Sequence, residues 1–465
     1  MPTFDSEQLA QWTAGRWTAS PATPLTAFSL DSRKLRAGDV FVALKTDRRD
    51  GHDFLLDAQS AGASAAVVAA PNSALTLPQL VVADPLEAFQ AIAREHRRGF
   101  RRPVVGISGS AGKTSTKDLL ALLLGGASSG VVATEGNLNN HLGVPLTLTR
   151  IDPAKHHFAV IEAGISMPGE MAVLAGMIEP DVTIITLVAP AHTEDLGGID
   201  GVAREKAVLS ERTRPHGVAI FPRSVAEFSA FREQGLKTLV VEKVEVLLSG
   251  EPVTNRVHFT VSQQGESTAV ALAINGQPRD YVFRRVSDGM AQNAALAITA
   301  AYWLGVSDET IQTRLASWKP GNLRGEIRWI DGRLFYLDCY NANPASMTDA
   351  LAAFEAIAPT GEARLFVLGC MEELGAEAAA HHQALGRSLR LREEDQLVVI
   401  GTHAHDVCAG VLQQGDFSRQ IQIVSTLEPV SAFLSDWRGS VFIKGSRRYQ
   451  LEKVLEVQTS FPLPC

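Results

Sequence analysis

Short apolar runs alternate with amphipathic stretches along the chain, and glycine, proline or polar clusters separate them. In the first hundred residues DVFVAL (39–44) and AAVVAA (65–70) read as strands. DFLLDAQSAGA (53–63) has helical spacing, and PLEAFQAIAREHRRGF (85–100) predicts a helix with a basic end. That basic end and Pro103 predict a domain boundary. PVVGIS (103–108), HFAVIEAG (157–164), DVTIITLV (181–188) and GVAIF (217–221) predict strands, and TSTKDLLALLL (114–124) predicts one of the helices between them. Continuous apolar strands alternating with helices imply a mainly parallel sheet covered on both faces. The stretch 238–286 is richer in β-branched residues and turn signals, which predicts an antiparallel elaboration, closed by a helix over 290–305.

From about residue 317 the alternation restarts. RLFYLDCY, ARLFVLGC, QLVVIG, QIQIV and SVFIKG predict five strands with helices between, a unit of the size of a small dinucleotide fold. The pattern therefore predicts three α/β domains, over 1–101, 102–316 and 317–465. The 465-residue length agrees, being too great for one ordinary core.

Composition narrows the function. The chain is 45% hydrophobic and 20% charged, as soluble globular proteins are. No run approaches the roughly 18 apolar residues of a membrane span, so none is expected. MPTFDSEQLAQWTAGRW has neither a basic leader nor an apolar signal core, which predicts a cytoplasmic protein. The net charge of −8 argues against a general nucleic-acid binder, although a locally basic site can still hold an anion. Cys339, Cys370, Cys408 and Cys465 form no C-x-x-C pair, and reduced thiols are expected.

The segment GISGSAGKTST (106–116), between a predicted strand and a predicted helix, carries the most specific chemistry. Gly109 and Gly112 let backbone N–H groups turn toward an anion, Lys113 adds a point charge, and Thr114 can ligate Mg²⁺ where a helix presents its positive end. Ile107 stands where the common G-x-x-x-x-G-K-[ST] loop has its first glycine. Glu162 ends the strand FAVIE, and His192 follows the next strand in VAPAHTEDLGG, both at the carboxyl edge where open α/β sheets bind ligands. Taken singly, each is more often a plain strand-end residue. Lys206, in the predicted helix GVAREKAVLSE, would ordinarily be a solvated lysine. His381 and His382 project about 100° apart on a helix, so both seldom bind one ion. DCYNANPASM (338–347), LGCMEELG (368–375) and IKGSRR (443–448) each run from a strand into a polar loop suited to substrate contacts. The phosphate loop alone does not separate a motor from a kinase or a ligase.

Together these segments resemble the Mur ligase family. DSRKLRAGDVFVAL followed by DGHDF is similar to its N-terminal uridine-nucleotide domain. GISGSAGKTSTK and TEGNLNNHLGVPLTL are similar to its ATP loop and the segment that follows, and DCYNANPASM, GCMEELG and VFIKGSRR to its ligase-domain signatures. The asparagine-rich motifs favour the branch that adds D-alanyl-D-alanine over the one that adds diaminopimelate or lysine, whose D-N-P-R signature this sequence lacks. The resemblance implies a three-domain fold with a central phosphate-loop ATPase domain and a C-terminal Rossmann-like domain.

Residue by residue, it implies that Gly109, Ser110, Ala111, Gly112, Lys113, Thr114 and Ser115 hold ATP, with Mg²⁺ at Thr114, Glu162, His192 and a Lys206 that family members can carbamylate. Asn293 matches an adenine contact, and Arg324 and Asp338 match nucleotide contacts from the third domain. Ser32 and Arg33 fall in the implied uridine-diphosphate pocket. Asn139, Asn140, Tyr340 and Asn341 fall where substrate is approached. Gly289 and Met290 depart from the His-Asn usual before Asn293, and FVALKTDRRDGH lacks the usual glycine after its strand. The implied reaction joins D-Ala-D-Ala to UDP-MurNAc-tripeptide through an acyl phosphate, in a monomer. The alternatives are a Mur-type ligase for another amine, a nucleotide-dependent ATPase acting on a protein partner, and a scaffold that has lost activity.

Overall fold

The computed structural model describes residues 2–232, 235–247, 254–274 and 276–455; Cys465 lies outside them. Their strands form three sheets. The N-terminal sheet has five strands in the order Arg16–Trp17, Gln79–Val81, Ala65–Val68, Asp39–Val42, Ala27–Ser29, parallel except for the first. Two of the five are read from the sequence as apolar runs. The others are two or three residues long, too short to carry a period.

The helix Pro85–Gly99 begins where Asp84 accepts hydrogen bonds from the N–H groups of Leu86 and Glu87, with proline in its first turn. Ala88, Phe89 and Ile92 pack on the N-terminal core, while Ala93 and Phe100 join the core of the central domain. Arg97 is fully buried between them. Its guanidinium donates to the carbonyls of Ile178 (2.7 Å), Phe100 (3.0 Å) and Glu179 (2.7 Å) and to Asp181 Oδ2 (2.9 Å). The boundary expected at the end of this helix is thus spanned by a buried polar junction.

The central sheet has nine strands, ordered Gln277–Arg284, Ser267–Ile274, Arg256–Gln264, Thr238–Lys243, Val218–Pro222, Val182–Ile185, Val104–Ser108, Phe158–Glu162, Val131–Ala133. The antiparallel elaboration expected over 238–286 is corrected in part. Thr238–Lys243 pairs parallel with Val218–Pro222, and Arg256–Gln264 pairs parallel with Thr238–Lys243. Helical turns between Pro222 and Thr238 carry the chain back across the sheet, which enforces the parallel sense. Only the last two pairings are antiparallel, the first closed at Gly265 (φ +58°). The helix Asp288–Trp303 packs against Lys113–Leu123 in one apolar cluster.

The C-terminal sheet has six strands, ordered Glu326–Ile330, Arg333–Asp338, Ser440–Lys444, Arg364–Gly369, Gln396–Ile400, Ile421–Val424. Five are those expected. The sixth, Glu326–Ile330, was not expected; it is an antiparallel edge strand of five residues with Ile327 and Trp329 facing solvent. The other five strands are parallel, and Asp338, Gly369 and Lys444 lie at carboxyl ends among them. Among the described residues no helix is long and apolar enough to cross a membrane.

Candidate active site

The strand Val104–Ser108 lies between Phe158–Glu162 and Val182–Ile185, all parallel, so the phosphate loop, Glu162 and the segment leading to His192 leave the sheet on one edge. A cavity of about 610 Å³ opens there, walled on its other side by the C-terminal domain.

The loop is shaped by contacts beneath it. Gly109 has φ +151° and Gly112 φ +78°; an added Cβ would stand 1.9 Å from Thr186 Oγ1 at the first and 2.4 Å from Asn293 Nδ2 at the second. Both conformation and crowding therefore demand glycine. The Thr186 hydroxyl donates to the carbonyl of Ala111. Ser110 uses its side chain locally, donating to the Ala189 carbonyl (2.8 Å) and accepting the Ala189 N–H (3.0 Å). Lys113 Nζ donates to the Gly109 carbonyl (2.7 Å), and burial lowers the pKa of its ammonium, with Glu162 opposing that shift. Thr114 Oγ1 accepts a hydrogen bond from Arg324 Nη2 across the domain boundary (3.1 Å). Ser115 is buried at the base of the helix.

Glu162 is held at three points. Its N–H donates to Thr134 Oγ1 (2.9 Å), its Oε1 accepts from Asn139 Nδ2 (2.7 Å), and its side chain is buried. Its Oε2 is buried with no hydrogen-bond partner among the described residues. A buried, unpaired carboxylate oxygen is costly unless a cation or donor meets it. His192 adopts a left-handed backbone (φ +55°), and its Nδ1 meets a carboxylate oxygen of Glu373, also left-handed (φ +63°), from the C-terminal domain. Burial chiefly lowers the His192 pKa, helped by the positive charges of Lys113 and Lys206. The site fits a hard cation: Thr114, Glu162 and His192 line one cavity, and one oxygen of the buried Glu162 carboxylate lacks a partner among the described residues.

Lys206, on the helix Ile199–Glu211, is 3% exposed and lies behind the cavity rather than on its wall. Burial, then repulsion from Lys113, lowers its pKa well below the ordinary lysine value. It is therefore not the solvated lysine that its sequence context suggests. Asn293 is buried against Gly112. Arg324 also stacks over Tyr340, 3.9 Å from the ring centre. Asp338 pairs with Lys444 (2.6 Å); burial raises its pKa and the lysine opposes the rise. Asn140 and Asn341 line the cavity but turn side-chain oxygens to nearby backbone N–H groups. Ser32 and Arg33 lie apart, on a short turn of the N-terminal domain where Arg33 pairs with Asp31.

Asn343, Lys444 and Asp349 also wall the cavity and were not among the residues singled out. Asn343 Nδ2 donates to the Ser110 carbonyl (3.1 Å), fastening the third domain to the phosphate loop. Lys444 stands in IKGSRR and Asn343 in DCYNANPASM, segments whose loops were readable but whose individual roles were not. His382 is a core histidine: its Nδ1 donates to the Ala378 carbonyl (2.7 Å), and its Nε2 accepts the Met371 N–H (2.9 Å).

Fold and site define a three-domain α/β protein with a phosphate loop and a second domain reaching onto it. Known proteins share this arrangement. The Mur ligase middle domain matches residues 107–301, the glutamate ligase domain residues 324–447, and the Mur ligase family catalytic domain residues 24–97. The chain is 31% identical to the UDP-N-acetylmuramoyl-tripeptide–D-alanyl-D-alanine ligase of Escherichia coli, over 93% of each chain. It is 32% identical to the protein of the same name from Synechocystis, over 86% of this chain and 85% of that one. A crystal structure of MurF from Acinetobacter baumannii superposes with TM-score 0.85 at 28% identity, covering 99% of this chain and 100% of the other. MurF of Thermotoga maritima in complex with ADP superposes with TM-score 0.78 at 26% identity, covering 92% and 96%. The chain belongs to the Mur ligase family.

Proposed function

We propose that this protein is an ATP-dependent amide ligase that joins D-alanyl-D-alanine to UDP-N-acetylmuramoyl-tripeptide in peptidoglycan precursor synthesis, acting as a cytoplasmic monomer. The names borne by its relatives support the substrates. The observation that carries the chemistry is that Glu162, whose buried Oε2 has no partner among the described residues, lines one cavity with Lys113, Thr114 and Arg324.

A carboxylate resists attack by an amine because oxide is a very poor leaving group. Moving the γ-phosphoryl of ATP onto the peptide's terminal carboxylate gives an acyl phosphate. The amine of D-Ala-D-Ala then attacks the carbonyl carbon, and the C–O bond to phosphate breaks. Phosphate and a proton from the amine depart. Each residue's part is positioning and charge neutralisation. The loop 109–115 cradles the phosphates with backbone N–H groups, and Lys113 leaves the Gly109 carbonyl to pair with them. Asn293 and Asp338 take the nucleoside side. Arg324 turns its guanidinium from Thr114 to the transferring group. Asn139 fixes Glu162, and Asn140, Tyr340 and Asn341 border the acceptor. Thr114, Glu162 and His192 would hold Mg²⁺, which supplies charge neutralisation at the phosphate oxygens. Lys206, which burial drives toward the neutral amine that attacks CO₂, would as a carbamate replace a positive charge behind this cavity by a negative one. We assign uridine-nucleotide binding to residues 1–101, with Ser32 and Arg33, ATP binding to 102–316, and dipeptide binding to 317–465.

The test is ADP release coupled to product mass. ADP release should require UDP-MurNAc-tripeptide, and amide should form only with D-Ala-D-Ala. Equal amide yield with glutamate or a diamino acid would assign the chain to another branch of the family.

A further inference from the structure

The cavity wall includes Glu162 and also Gly289 and Asp349. Asn293 packs against Gly112 of the phosphate loop, and Gly289 lies one turn before it on the helix Asp288–Trp303. A nucleotide whose phosphates lie on the loop and whose base follows this helix comes to Gly289. Asp349 stands there on the helix Pro344–Ile357 of the C-terminal domain. Its Oδ1 accepts the N–H of Gly289 across the domain boundary (2.8 Å). A Cβ on residue 289 would lie 2.7 Å from Asp349 Oδ2, so a glycine at this position is what admits the carboxylate. Among the described residues Oδ2 accepts no hydrogen bond, whereas the nearby Asp338 is already paired with Lys444.

An ionised carboxylate accepts hydrogen bonds and cannot donate them. It therefore favours a base edge bearing an amino group and opposes one bearing a keto oxygen. We propose that Asp349 is a specificity residue for the nucleotide, its Oδ2 accepting a hydrogen bond from the exocyclic amino group of adenine. This deepens the ATP-dependent reading and rests on it. Because Oδ1 of the same carboxylate bonds Gly289, the base is read by the domain that closes over it. A 6-keto purine would set its oxygen against Asp349 and hold that contact open.

The test compares Kd for ATP and for ITP, by calorimetry, in the wild-type full chain, Asp349→Asn and Asp349→Ala, with thermal midpoints confirming that each is folded. Wild type should prefer ATP, and both variants should reduce that preference by about tenfold or more, because a site built to hydrogen-bond a group strongly rejects the analogue lacking it. If Asp349 only latches Gly289, both nucleotides weaken equally and the ratio stays constant, which overturns the proposal. A wild type that binds ATP and ITP alike overturns it too. Since binding is measured and not ligation, failure of the amide-ligase reading would show separately, as acceptor-independent ADP release.

Discussion

The guanidinium of Arg324 lies 3.1 Å from the hydroxyl of Thr114, so a cation of the C-terminal domain touches the first turn of the phosphate-loop helix. Asn343 reaches the carbonyl of Ser110 beside it, and Glu373 meets His192. Three contacts thus bring the third domain onto the atoms that would hold nucleotide and metal. Closure excludes the water that would otherwise hydrolyse an acyl phosphate.

Arg324→Ala should lower kcat by about 10²–10³, the usual loss when one preorganised donor to a developing charge is removed. Arg324→Lys should recover only part, because a point charge replaces a planar fork that stacks on Tyr340. Steady-state kinetics with saturating D-Ala-D-Ala measures both. Lys113→Ala should abolish turnover while leaving the thermal midpoint nearly unchanged.

Asn139 acts on Glu162 through one 2.7 Å hydrogen bond. Asn139→Ala should raise the Mg²⁺ concentration for half-maximal activity by about 10–100-fold, the effect typical of a lost partner behind a metal ligand. Glu162→Gln should raise it further. Magnesium titrations at fixed ATP distinguish the two.

Lys206 gives a pH signature. Its folded-state pKa lies below the ordinary 10.5, so between the two values an unfolded chain holds a proton that the folded chain lacks. Stability then rises with pH through that window, and below it, where both states hold the proton, the full cost of burying the ammonium beside Lys113 remains. In bicarbonate-free buffer, Lys206→Met should therefore be more stable than wild type at pH 7, and the gap should narrow toward pH 10. Part of the gap is the repulsion between Lys206 and Lys113, which Lys206→Met also removes. Denaturant midpoints at the two pH values measure the gap, and the variant should lack ligase activity.

Arg97→Met should destabilise the chain by roughly 2–5 kcal/mol, since it takes a buried donor from the carbonyls of Ile178, Phe100 and Glu179 at about 1–3 kcal/mol for each left unmet, while the partly exposed Asp181 keeps the Val104 N–H. Chemical denaturation measures the loss.

Most of the central and C-terminal domains was legible because buried parallel strands are continuous apolar runs: VVGIS, FAVIE and RLFVLG cannot be mistaken for amphipathic helices. Glu326–Ile330 and Ala27–Ser29 were not, since the first is a short edge strand with only five alternating residues and the second, of three residues, carries no period. The sense of Thr238–Lys243 was misread because β-branched content marks strands but not their direction. At the site, the phosphate loop announced itself through spacing. Lys206, Asn343 and Asp349 gave no local signal, because their neighbours Lys113, Ser110 and Gly289 lie 60 to 233 residues away in sequence. Only the resemblance reached Lys206.

The central claim is that phosphoryl passes to the peptide's terminal acid. Tripeptide substrate labelled with ¹⁸O in that carboxylate tests it, with released phosphate analysed by mass spectrometry. Each phosphate released with amide formation should carry one labelled oxygen; unlabelled phosphate accompanying full amide formation would contradict the account.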